Sequence, residues 1–125
     1  MDLAINREEM AQKLFVGKAR VPESFTSYPA SFYWDPKIWN KPRPYDVAKA
    51  KALLKEAGYE QGFDIKIFSF VMPGSERLTD MAPVIADYWA KIGVRTTIVP
   101  TDIGSFRPKY RAIPHGPELV GNGYM

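Results

Sequence analysis

No cysteine occurs in the 125 residues, and there is one histidine, His115. The first absence excludes disulfides, thiolate metal sites and a cysteine nucleophile. It leaves the redox compartment open, because a cytosolic chain and a disulfide-free exported one look alike in this respect. The second excludes a histidine-rich metal centre, and allows a Ser-His-Asp triad only with His115 as its base. His115 lies in Pro114-His115-Gly116-Pro117, a run of turn residues that reads as an exposed loop. No apolar run approaches the ~20 residues that span a bilayer, and the first residues lack the charged-then-apolar layout of a signal peptide. Phosphate loops are missing too: there is no Gly-x-Gly-x-x-Gly, and Met72-Pro73-Gly74-Ser75 has one glycine where such loops use several.

Charge of one sign does not cluster. Seventeen basic and fourteen acidic side chains give a net charge of +3. The densest basic set, Lys49, Lys51 and Lys55, is spread along a helix beside Glu56 and reads as a solvated face rather than a nucleic-acid footprint. Glu8 and Glu9 suit a first helical turn and Asp46 suits a cap, so no acid–base pair stands out. The residues therefore describe a chain that is not an enzyme, with no cofactor, no metal site and no nucleic-acid partner.

What is present is ordinary globular material: 46% hydrophobic, 25% charged and 14% aromatic residues, enough for one domain with its own core. Residues 1–17 read as helical. Asn6 is placed to cap a helix, Glu9 three residues on completes a capping-box-like pair, and Gly17 suits the left-handed exit, with Met10, Ala11, Leu14 and Phe15 as the buried stripe. Residues 45–99 read as helix, strand, helix, strand. Asp46 caps a helix to about Ala57 with Val47, Ala50, Leu54 and Ala57 inward and Gly58 as its stop; Phe63–Phe70 alternates as a strand after Gly62. Ser75 is a candidate cap for a long helix with Leu78, Met81, Ala82, Ile85, Trp89 and Ile92 inward. Pro83 should disturb its first turns, since an interior proline costs about 3 kcal/mol. Gly93 ends it and Val94–Val99 is a second strand. Strand, helix, strand with short joints is a βαβ unit with parallel strands, so the fold class is α/β. Residues 100–125 read as a weakly structured tail, with a short amphipathic helix over Ile103–Arg111 interrupted by Pro108.

The remaining stretch, residues 18–44, carries Pro22, Pro29, Pro36, Pro42 and Pro44 among Phe25, Tyr28, Phe32, Tyr33, Trp34 and Trp39. Its prolines make it an extended connection rather than a helix or a central strand. Its rings either pin a long loop to the core edge or wall a ligand site, since aromatic side chains offer contact area with few rotors to freeze.

Four stretches in order resemble one family. Leu3-Ala4-Ile5-Asn6-Arg7-Glu8-Glu9 is similar to the Ala-Ile-Asp-Arg-Glu segment of family 5 extracellular solute-binding proteins, the oligopeptide, dipeptide and nickel class that feeds ABC importers. Gly17-Lys18-Ala19 and the aromatic loop follow in the family's manner. Tyr45-Asp46-Val47-Ala48-Lys49-Ala50-Lys51-Ala52-Leu53-Leu54-Lys55-Glu56-Ala57-Gly58-Tyr59 resembles the family's Tyr-Asp-Pro-x-Lys-Ala-Lys-x-Leu-Leu-x-Glu-Ala-Gly-Tyr. Tyr88-Trp89-Ala90-Lys91-Ile92-Gly93-Val94 falls in register with its Lys-x-Ile-Gly-Ile/Val helix end. Asn6 stands where the family has aspartate and Val47 where it has proline; neither change threatens the fold.

The resemblance implies part of the carboxyl-terminal lobe of a longer, two-lobed, periplasmic-binding-protein-like molecule, with the helix before Asn6 continuing upstream of Met1. It implies the substrate-binding component of an ABC transporter, periplasmic or extracellular and held at the membrane through the transporter. Peptides or similar small solutes would be its ligands and the permease its partner. The Trp-x-x-Asp-like segment that in many relatives anchors the ligand's amino group matches no position here, as residues 101–125 hold no tryptophan. Tyr33 and Trp34 are the expected ligand-facing residues. The competing expectation is a stand-alone interaction module, with exposed apolar surface used to form a homodimer.

Overall fold

A computed structural model describes residues 1–19, 21, 44–74, 77–113 and 123–124. The apolar start forms a single 3-10 turn, Asp2–Ala4, with Ala4 fully buried and Ile5 extended. Helix α1 follows over Arg7–Leu14, and Asn6 caps it: its side chain accepts from the Glu9 N–H at 3.0 Å. The reciprocal half of the expected capping box is replaced. The Glu9 carboxylate instead takes Lys13 Nζ at 2.6 Å and the Tyr88 hydroxyl at 2.9 Å. At the other end the chain turns left-handed at Val16 (φ 53°) as well as at the expected Gly17 (φ 68°), and the Gly17 N–H closes on the Ala11 carbonyl at 3.1 Å. A β-branched residue there carries strain of about 1–2 kcal/mol.

Helix α2 spans Val47–Glu56, capped by Asp46, whose side chain accepts from the Lys49 N–H at 2.8 Å. Gly58 (φ 83°) lets Tyr59 N–H reach back to the Leu54 carbonyl at 2.8 Å. Ala50 is buried, Val47 and Leu54 are half-buried, and Ala57, expected inward, is exposed at the C-cap just past the helix. Asp46→Ala should cost about 1 kcal/mol, read as a fall of roughly 3–6 °C in the thermal midpoint by circular dichroism.

Strand β1 (Phe63–Ser69) and strand β2 (Val94–Pro100) pair in parallel from Phe63 opposite Val94 to Ser69 opposite Pro100. Between them runs α3, Leu78–Ala90, so the expected βαβ unit is present. The cap differs. Ser75 lies outside the described residues, and Arg77 occupies the cap position without a side-chain cap bond. Its guanidinium instead donates to the Leu14 carbonyl at 2.9 Å, at the end of α1. Pro83 sits inside a continuous helix at an exposed position.

Two elements occur among the described residues of 100–125. Helix α4, Ile103–Arg111, is capped by Asp102 accepting from Ser105 N–H at 2.8 Å and runs through Pro108. Gly123–Tyr124 forms β3, which pairs in parallel with β1 opposite Ile67 and Phe68. The sheet order is β2-β1-β3. Tertiary packing supplies what local propensity does not: Phe106 of α4 is buried against Phe68 and Phe70.

The sheet's two faces differ by strict alternation. Ile65, Ile67 and Val94 point into a core shared with Ala4, Met10, Ala50, Ala82, Ile85, Tyr88 and Ile92 of the helical side. On the opposite face Asp64 and Arg95, paired in register, form a two-pronged bridge at 2.8 and 3.1 Å. Both groups are largely solvated, so this pair contributes under about 1 kcal/mol. Among the described residues no helix is long and apolar enough to cross a membrane.

Candidate functional site

Parallel strands in open α/β sheets present ligands at their carboxyl ends, where the connecting loops diverge. Here that edge is made by Ser69 at the end of β1, Phe70 just after it, and Thr101 and Asp102 after β2, tied by the Thr101 N–H to the Ser69 carbonyl at 2.9 Å. Phe106, 3% exposed, anchors a row of rings: its centroid lies 5.5 Å from Phe68, 5.3 Å from Phe70 and 6.5 Å from Tyr110, stacked one turn on. Outside the buried rings stand Tyr110, Val71 (56% exposed) and Met72 (41% exposed). The chemistry on offer is apolar and aromatic contact. Asp102 is a helix cap, and its bonding to Ser105 is the first cause holding its carboxyl below the usual range. Among the described residues no group of three potential metal ligands converges.

The helical side holds the other polar cluster. Tyr88, 5% exposed, directs its hydroxyl at Glu9 Oε2 (2.9 Å) and the Asn6 carbonyl (3.2 Å). Tyr45 meets its ring edge-on at 6.4 Å, and the Lys91 ammonium lies 4.7 Å from the ring centroid. Burial, then the bond to Glu9, pushes the Tyr88 hydroxyl up to about 12. Lys13 first, and then Tyr88, hold the Glu9 carboxyl below its ordinary range despite some desolvation. A raised tyrosine favours the protonated folded form, so this stabilisation is complete below pH 10 and is lost as pH climbs through about 12. Tyr88→Phe should cost about 1–2 kcal/mol at neutral pH by removing a part-buried, charge-assisted hydrogen bond to Glu9, which keeps Lys13, and to the Asn6 carbonyl, which keeps the Met10 N–H. The same variant should lose stability less steeply above pH 10; denaturant titrations at neutral and alkaline pH measure both effects. This cluster joins α1 to α3 and is structural.

The expected ligand-facing pair, Tyr33 and Trp34, lies outside the described residues, as do the rest of the aromatic connection beyond Val21 and His115. Phe68, Phe70, Phe106, Tyr110, Val71 and Met72 were not singled out by the sequence as a site. The legible signal was Phe106 and Tyr110 at i, i+4 behind Asp102, weakened by Pro108.

A family profile described as "Bacterial extracellular solute-binding proteins, family 5 Middle" matches residues 1–113. The chain belongs to the family 5 extracellular solute-binding proteins. Di/tripeptide-binding protein 1 of Pseudomonas aeruginosa (strain UCBPP-PA14) is 28% identical over 123 residues, which is 97% of this chain and 22% of that protein. The crystal structure of the dipeptide-binding protein from Pseudoalteromonas sp. SM9913 in complex with Met-Leu has a TM-score of 0.73 and 30% identity, covering 91% of this chain and 22% of the other. The periplasmic binding protein DppA of Helicobacter pylori, in complex with peptide STSA, gives 0.67 at 33% identity, covering 84% and 19%. This family 5 chain therefore spans about a fifth of the length of the proteins it matches. Its α/β architecture is that of part of a periplasmic-binding-protein-like molecule, and the family is one of binding proteins.

Proposed function

We propose that this chain is part of the carboxyl-terminal lobe of the substrate-binding component of an ABC importer, which captures peptides or similar small solutes and hands them to a membrane permease. The carboxyl edge of the parallel sheet carries the reading. It places exposed Tyr110, Val71 and Met72 over a fixed ring floor where α/β proteins receive ligands. An apolar and aromatic wall suits the side chains of short peptides. Relatives that bind di- and tripeptides support that solute class. Tyr33 and Trp34 are proposed as further ligand contacts, and attachment to the membrane through the permease is part of the same proposal. A stand-alone, self-associating module is the second reading, and the solute-binding relatives favour the first.

Isothermal titration of the full-length gene product with mixed short peptides tests the proposal. Saturable heat is expected, weakened by Tyr110→Ala and by Trp34→Ala. No heat with any peptide, together with a concentration-dependent dimer in sedimentation velocity, would overturn it in favour of the second reading.

A further inference from the structure

Away from the carboxyl edge, a hollow of about 480 Å³ lies between α1 and α3, within the range of roughly 300–1,000 Å³ typical of small-molecule sites. Helices α1 and α3 run antiparallel here, since Arg77 meets Leu14 at one end and Tyr88 meets Glu9 at the other. Helix α3 returns from the carboxyl end of β1 to the amino end of β2, so its last turns, which line the hollow, stand at the far end of the sheet from Met72.

The floor is apolar: Met10, Leu14, Val84 and the Tyr88 ring. Glu9 and Lys13 on the α1 side satisfy each other at 2.6 Å. Asp87 and Lys91 on the α3 side do not. They are four residues apart on one helical face, a spacing at which opposite charges ordinarily pair. The Lys91 ammonium instead lies over the Tyr88 ring and acts on the Glu9 carboxylate only through space, and among the described residues neither Asp87 nor Lys91 enters a close ion pair. An anion and a cation about one helical turn apart, flanking an apolar floor, are complementary to a compact zwitterion with an apolar substituent.

We propose that this groove is a second ligand site that takes a free α-amino acid with an aliphatic side chain. The ammonium sits against Asp87, the carboxylate against Lys91, and the side chain on Met10, Leu14 and Val84. The site is independent of peptide capture at the carboxyl edge.

The methionines make the test site-resolved, because Met10 lines this groove and Met72 lies at the other edge. Methionine-methyl NMR spectra of the 125-residue chain are recorded during titration with L-leucine. A saturable shift of the Met10 methyl is expected, with Met72 unmoved. Asp87→Asn and Lys91→Gln, both at solvent-facing positions, should each weaken it about tenfold, the cost of losing one charge-assisted contact. N-acetyl-L-leucine amide, which lacks both charges, should give no saturable shift. Absence of the Met10 shift, a shift at Met72 alone, or unchanged affinity in either variant would overturn the proposal. A parallel titration with Met-Leu dipeptide reports the carboxyl edge separately, so failure of one site is distinguishable from failure of the other.

Discussion

Gly62→Ala is expected to remove about 3–5 kcal/mol of stability, lowering the thermal midpoint by on the order of 10–20 °C or preventing folding. Two costs combine. Gly62 sits at φ 72°, where any L side chain is strained by about 1–2 kcal/mol. A Cβ there would stand 1.8 Å from the Gly93 carbonyl oxygen, which is backbone and cannot rotate away. The close approach is a consequence of the fold: Gly62 leads into β1 and Gly93 leads into β2, and the two parallel strands begin side by side with Phe63 opposite Val94. Gly58→Ala separates the two costs, because Gly58 has a similar φ of 83° and nothing within 4 Å of its would-be Cβ. That variant should lose only about 1–2 kcal/mol. Thermal and urea denaturation of both proteins measures the difference, and equal losses would show that the Gly93 contact costs nothing.

Phe106→Ala should cost about 3–5 kcal/mol, the range for truncating a buried phenylalanine. Phe106 is the buried residue of α4, and its ring packs on Phe68 and Phe70 and against Tyr110. The loss should fall unevenly. Amide exchange should accelerate first in residues 103–111, whose helix contains Pro108 and lacks other buried side chains, while β1 and β2 keep their protection until global unfolding. Phe106→Leu retains most of the buried volume and should lose less than half as much. Peptide titration of the same variants then asks whether the ring floor matters for binding: weakening by Phe106→Leu beyond its stability loss would place this wall at the ligand.

Local grammar carried much of the fold in this sequence. Asn6 and Asp46 both cap as their positions dictate, Gly17, Gly58 and Gly93 all turn left-handed, and the alternation from Phe63 to Ser69 gives a strand with Ile65 and Ile67 inward. These features depend on neighbours within four residues, so they are legible without a third dimension. The Glu9 carboxylate shows where that logic stops. Its position three residues after Asn6 predicts a capping box, yet Tyr88, distant in sequence, offers a buried hydroxyl that Glu9 takes instead.

The carboxyl edge was less legible. Phe68, Phe70, Phe106 and Tyr110 are separated by up to 42 residues and meet because a parallel pairing aligns the ends of β1 and β2 and α4 folds back across them. The short helix over Ile103–Arg111 was expected with an interruption at Pro108, and it runs through Pro108 with Phe106 buried. The sequence by itself determined the α/β class, the βαβ order, the caps at Asn6 and Asp46, the glycine stops and, through four ordered motifs, the family. The tertiary structure alone decided the sheet order β2-β1-β3, the 1.8 Å conflict that forbids a side chain at Gly62, and which rings form the candidate site. The physical reason is range: capping and periodicity act within a turn or two of chain, whereas sheet order and ring contact follow from burying surfaces that the sequence keeps apart.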